Sequence, residues 1–285
     1  MGIGDWFKKT FGKQACAFCG NEVGMLKRTK IKNKEFICND CGLQCSRFIQ
    51  KYRFTKDELL GNMEYMKRQE KLYNEILGDP SRVVPSAASE MAFEFFDHAG
   101  MFRIRDGHYD GRYAKELFRY DQVAKYEPFC DESEPSEQGK PKEFDQCGVR
   151  ITLAGADTDL SQMPKGIRSH PYITDEIEVI INKRDKKTGM LDVNQIIHHF
   201  DAIFGVRDDT KGLFNFGPTI QQKRQGEALK AMGGAFAAAI RASKDGEVTE
   251  EAQAKVQDAL NKVDDAATSG LARYSRLADE AENKI

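Results

Sequence analysis

Long apolar runs are missing from this sequence. The longest, Ala231 to Ile240, covers ten residues between Lys230 and Arg241, whereas a membrane span needs about 20. No transmembrane helix is therefore expected. Near the start, Lys8, Lys9 and Lys13 interrupt any signal-peptide core, so an export signal is not expected either, and the protein reads as cytoplasmic. An excess of one charge is also missing. With 43 Lys and Arg against 45 Asp and Glu, the net charge is -2, which by itself implies neither a polyanion partner nor an acidic disordered chain. There is no nucleophile elbow, no phosphate-cradling glycine loop, no zincin motif and no repeat of 20–50 residues. Gly107-x-x-x-Gly111 lies in a polar stretch and reads only as a turn. These absences lower the odds of catalysis, and a non-enzymatic protein is expected. Only a pocket of convergent titratable groups would revive an enzyme reading.

What the sequence does have is cysteine in pairs. Cys16-x-x-Cys19-Gly20 is followed, eighteen residues on, by Cys38-x-x-Cys41-Gly42. A two-residue gap lets two thiolates from one tight turn reach a single tetrahedral ion at about 2.3 Å. The glycine after each pair accepts a left-handed backbone, so the turn can aim its amides at the sulfurs. Between the pairs, 28–31 and 35–37 can form a hairpin about Asn33-Lys34. In a reducing compartment such pairs bind metal more often than they form disulfides. The expectation is structural Zn2+ held by Cys16, Cys19, Cys38 and Cys41. Four thiolates close the coordination sphere and leave no place for an activated water. About 50 residues bury too little apolar surface to fold well alone, so the ion supplies folding energy. Cys45 is read as a spectator. Cys130 and Cys147 flank a polar loop and approach each other if their strands pair.

The chain divides into four stretches, and the fold class expected is α+β. Residues 1–50 are Cys-rich and basic. Residues 51–90 hold an amphipathic helix over 55–78, opened by the capping box of Thr55 and Glu58, and then a linker, Asp79–Ser89. Residues 91–205 change to short β-prone segments: 91–96, 101–105, 112–118, 122–129, 148–153 and 176–182. Long loops are expected over 131–145 and 154–174, and a helix from about Asp192 to Gly205 closes the region. This suggests a small barrel or sheet with its open end plugged. Residues 206–285 read as a helical tail in which Ala228, Ala231, Ala235 and Ala239 permit close helix contacts, either within the chain or between subunits of a homo-oligomer.

Charge is unevenly placed. Residues 1–56 carry twelve basic against four acidic side chains, and residues 245–285 carry five against ten. The ends therefore serve different partners, attract each other, or are simply solvated faces. Lys27, Arg28, Lys30, Lys32 and Lys34 form a basic run that solvates a hairpin edge or, as the alternative, tracks nucleic-acid phosphates. Trp6 and Phe7 sit among lysines, and either rest on an anionic membrane surface or cover the ribbon. His198 and His199 point to different faces of one helix and cannot share a metal. His199 is expected to pack or face solvent.

The double Cys-x-x-Cys-Gly, together with Glu35-Phe36-Ile37-Cys38-Asn39-Asp40-Cys41, resembles a bacterial N-terminal zinc-ribbon family of unknown function. Its members open on an aromatic and lysine-rich stretch before the two knuckles. The resemblance implies zinc at Cys16, Cys19, Cys38 and Cys41, a following PH-like β domain over 91–205, and a short C-terminal helical module for oligomerisation or targeting. Residues 246–251 are similar to that module, but the Ala-rich stretch before them departs from its pattern. The function expected is a zinc-binding scaffold or adaptor that takes protein or membrane-surface partners through the β domain and assembles through its tail. A nucleic-acid-associated ribbon is the alternative.

Overall fold

A computed structural model describes residues 12–85, 91–106, 115–135, 141–163, 166–205 and 270–285. The chain is mixed α and β, built on small antiparallel sheets. Two two-stranded ladders begin it: β1 (Gln14–Ala15) with β2 (Glu22–Val23), and β3 (Arg28–Lys30) with β4 (Phe36–Cys38). The second hairpin turns at Asn33 and Lys34, at φ 59° and 64°, where the sequence places it. Helix α1 (Asn39–Gly42) follows directly, and Ile31, Ile37 and Ile49 are the apolar filling.

Helix α2 (Lys56–Leu72) starts at the expected capping box. The Thr55 amide donates to Glu58 Oε2 at 2.7 Å, and the Glu58 amide donates to Thr55 Oγ1 at 3.3 Å. Leu59, Met63, Met66 and Leu72 form its buried stripe. Its last turn widens to a π-helix, Tyr73–Leu77, before Gly78. The expected linker 79–89 is corrected in part, because Arg82–Pro85 form a strand, β5. It pairs with the next strand through Val84 opposite Phe93, and Val84 is buried. Proline is tolerated there because β5 is the edge of its sheet.

Two antiparallel meanders make the middle of the chain. β5, β6 (Met91–Phe96), β7 (Met101–Asp106) and β8 (Phe118–Arg119) form the first. β9 (Val123–Ser133), β10 (Glu143–Leu153) and β11 (Glu176–Asn182) form the second. Both faces of β6 are covered. Phe93 and Phe95 point to the common core, whereas Phe96 meets Tyr73 of the π-turn at 5.9 Å. On that second face Glu94 accepts from Arg103 at 3.1 Å and forms an ion pair with Arg105, whose Nε is 3.1 Å away, and Arg103 lies 4.8 Å over the Tyr73 ring.

The loop expected over 131–145 is shorter than the sequence suggested. β9 runs to Ser133 and β10 begins at Glu143, held by Ser133 Oγ donating to Asp145 Oδ1 at 2.9 Å and Gln146 Nε2 donating to Asp131 Oδ2 at 2.9 Å. This end of the hairpin is largely exposed, so no apolar alternation marks it. Helix α3 (Lys186–Phe204) also starts earlier than expected, because Asp185 caps it by accepting from the amides of Lys187 and Thr188. Phe200, fully buried, plugs the space between the meanders. Its ring lies 5.3 Å from Phe102, 5.7 Å from Phe95 and 5.1 Å from Tyr126. Helix α4 (Gly270–Glu282) packs on the same body through Leu271, Tyr274, Ala278 and Ala281. Of the expected helical tail, 206–269 lies outside the described residues.

Candidate metal centre

The four sulfurs predicted to converge do so. One ligand atom each from Cys16, Cys19, Cys38 and Cys41 lies within 4.8 Å of every other. Cys19 Sγ and Cys38 Sγ are 3.8 Å apart. Tetrahedral zinc with sulfurs at about 2.3 Å requires sulfur–sulfur edges of about 3.8 Å, so this donor set fits the ion in both chemistry and spacing.

The two knuckles reach this arrangement by different routes. In the first, Gly20 takes φ +75°, the left-handed backbone the spacing predicts, and its own amide donates to the Cys16 carbonyl at 2.9 Å. The second corrects the symmetric expectation. Gly42 is not left-handed but ends α1, because the Cys38 thiol caps that helix and accepts from the Cys41 amide at 3.4 Å. The Cys38 amide in turn donates to Cys16 Sγ at 3.3 Å, tying one knuckle to the other.

Burial opposes ionisation of Cys16, but the amides around it outweigh burial and bring its thiol down to about 6. Burial, and then the neighbouring thiols, push Cys41 well up. Four sulfurs this close share their protons until a cation replaces them. Cys45 stays outside the cluster. It is buried, and that burial raises it to about 11.

The basic run divides. Lys27, Lys30, Lys32 and Lys34 are exposed. Arg28 is instead part of the ribbon: it donates to the Gly12 carbonyl at 2.8 Å and lies 4.6 Å over the Phe36 ring, because the hairpin folds Phe36 beside it. Beside the lysines stand two apolar side chains that sequence reasoning passed over, Met25 at 47% and Leu26 at 92% exposure. Their placement after Gly24 in a basic stretch was the available signal. Trp6 and Phe7 lie outside the described residues.

Other thiols and imidazoles have clear places. Cys130 and Cys147 are direct cross-strand partners on β9 and β10, one exposed and one buried. His199 Nε2 meets Asp97 Oδ1 at 3.0 Å with its ring 3.9 Å from Phe95, and Asp97 Oδ1 also accepts from the Tyr120 hydroxyl at 2.7 Å. His170 is fully buried. Its Nδ1 accepts from the Ile173 amide at 2.9 Å, which leaves Nε2 to carry the proton toward Tyr65 Oη at 3.1 Å, and burial lowers it to about 4.

One buried group escaped the sequence reading altogether. Glu116 accepts from Ser46 Oγ at 2.6 Å, and the Ser46 amide donates to Asn62 Oδ1 at 2.8 Å. This joins the ribbon's end, α2 and the approach to β8. Burial pushes the Glu116 carboxyl up to about 7, against the pull of the Ser46 hydroxyl, Arg47 and Lys51.

Two paired thiol knuckles around one tetrahedral gap define a ribbon-type metal-binding module. In agreement, residues 14–62 match the family model described as "Domain of unknown function (DUF4428)", which spans the ribbon and the opening of α2. No curated protein and no solved structure gives a significant match. Among the described residues no helix is long and apolar enough to cross a membrane.

Proposed function

We propose that this chain is a zinc-stabilised, non-enzymatic scaffold or adaptor. The observation that carries the reading is the closed four-sulfur cluster, held on a module pinned to the rest of the protein by Ser46, Asn62 and Glu116. Four thiolates leave the ion no open position for a reacting water, so its work is to set the shape of the ribbon. The pinned ribbon then presents Leu26 and the lysines around it in a fixed direction. Exposed apolar side chains rimmed by cations are an ordinary composition for a docking surface.

The four-strand meander, the three-strand meander and the closing helix α3 support a PH-like reading of the middle region. Such domains bind peptides, proteins or lipid headgroups along a sheet edge or loop face. The non-enzymatic reading draws support from the cavity of about 370 Å³ beside α2. The carboxylates on its wall, and Tyr65 with them, are engaged elsewhere: Glu64 with Lys67, Glu282 with Arg119, and Tyr65 with His170.

The test has two arms. Metal analysis of the intact chain gives about one zinc per chain. Crosslinking capture from the native host, run on the parent and on Leu26→Ser, gives partners that the variant loses. Full binding without zinc, or an unchanged partner set, overturns the reading. The exposed Lys27, Lys30, Lys32 and Lys34 favour nucleic acid as the second reading. Binding to DNA or RNA that falls steeply with salt supports it, and no binding at about 50 mM salt ends it.

A further inference from the structure

Helix α4 is attached to the body by side chains that behave as an interface. Arg119 Nη1 donates to Glu282 Oε2 at 2.7 Å, and its Nη2 reaches Asp279 Oδ1 at 2.8 Å. Arg168 grips the same Asp279 with both terminal nitrogens, at 2.8 and 2.9 Å. These charged contacts rim an apolar centre. Tyr274 meets the Tyr120 ring edge-on at 5.2 Å, and Ala278 and Ala281 are buried against Leu72, Leu77, Phe96 and Met101. The fit is tight enough that a Cβ on Gly100 would collide with the Tyr274 carbonyl oxygen.

An aromatic anchor, small side chains where backbones meet, and a rim of complementary charge are the anatomy of a recognition site. The covalent connection does not dictate which helix fills it. Between Gly205 and Gly270 lie the 64 residues 206–269, and a chain of that length spans at most about 210 Å. A second copy carries the identical helix and the identical groove, so every contact above can be made between two chains.

We propose that this groove is a self-recognition site. It is filled by the chain's own α4 when the protein is dilute and by the α4 of a second copy when chains are crowded. Tethering gives the chain's own helix an effective concentration of about 1 mM, so exchange competes only where local concentration approaches that figure. The proposal rests on assembly through the tail and names the surface and the segment that do it. The acidic excess of residues 245–285 over basic ones has its counterpart in Arg119 and Arg168.

The experiment uses the full chain with a protease site inserted within 206–269. After cleavage, a fluorescent peptide of residues 268–285 binds the cut protein and displaces its own fragment. The uncut chain binds that peptide at least about tenfold more weakly, because its groove is occupied. A peptide carrying Asp279→Arg loses at least about tenfold in affinity and regains part of it on a cut chain carrying Arg168→Asp. Uncut chains labelled with donor and acceptor dyes show energy transfer at several hundred micromolar and none at about 1 µM. A fragment that never leaves the cut chain, equal peptide binding with and without cleavage, or no transfer at any concentration overturns the proposal. Assembly that persists when the peptide arm fails overturns it too, while leaving tail-mediated assembly standing by another surface.

Discussion

Arg119 holds Glu282 from 163 positions away in sequence, through Nη1 and Oε2 at 2.7 Å. The same guanidinium donates to Asp121, whose side chain is fully buried, from Nε at 2.9 Å and Nη2 at 2.8 Å. Removing the cation would leave the buried carboxylate only Arg168 Nε, 3.4 Å away, and release the rim of α4 together. Arg119→Met is therefore expected to cost about 2–3 kcal/mol in urea unfolding, less than a fully stranded buried charge would. An ammonium group cannot reproduce the two-nitrogen contact to Asp121, so Arg119→Lys recovers little of the loss. A cost under about 1 kcal/mol would show that the network is only decorative.

The four-cysteine cluster makes a sharper demand. Serine in place of Cys16, Cys19, Cys38 or Cys41 abolishes stoichiometric zinc, whereas Cys45→Ala retains about one equivalent. Atomic emission on purified chains, with a chelator melt alongside, checks both. Zinc lost from the Cys45 variant would move the site away from these four sulfurs.

Two buried ionisable groups act on stability with opposite signs. The Glu116 carboxyl rises from 4.5 to about 7 on folding. The folded state then holds the extra proton, so this stability is present below about 4.5 and is lost as pH rises through 7. His170 falls from 6.5 to about 4, so its contribution is present above 6.5 and is lost as pH falls through 4. Each is worth about 3 kcal/mol at most, and the two largely offset each other. Relative to the parent, Glu116→Gln should show stability that climbs from about pH 4.5 to 7, and His170→Gln stability that declines from about pH 4 to 6.5. Urea midpoints across this range, taken as differences from the parent chain, decide it. Parallel profiles would refute the pairing.

Gly100 combines φ +62° with the close approach of Tyr274. Gly100→Ala adds left-handed strain of about 1 kcal/mol and a clash with backbone that cannot rotate away. The expected result is release of α4, seen as faster proteolysis after residue 270 with the zinc content unchanged. An unaltered digestion pattern would mean that the helix shifts at little cost.

How much of this was legible in the sequence follows from the range of each interaction. The cysteine pairs, the turn at Asn33-Lys34 and the Thr55–Glu58 cap are local, and their residues announce them within a few positions. Strand β11 was legible because one face is buried and the other is not. Strand β5 was not, because four residues ending in proline look like a linker until Phe93 supplies the other half of the pair. The end of the β9–β10 hairpin was hidden for the opposite reason, being polar on both sides. Least legible were the long-range ties. Glu116 meets Ser46 across 70 residues and Arg168 meets Asp279 across 111, and no spacing rule joins such partners.

The tie between Ser46, Asn62 and Glu116 turns the ribbon from a pendant into a handle. A bead on a string can lose its ion unnoticed by its neighbours. This one gives Ser46 to Glu116 and packs Phe48 edge-on against Phe118, so a disturbance of the sulfurs bears directly on the strand that carries Arg119.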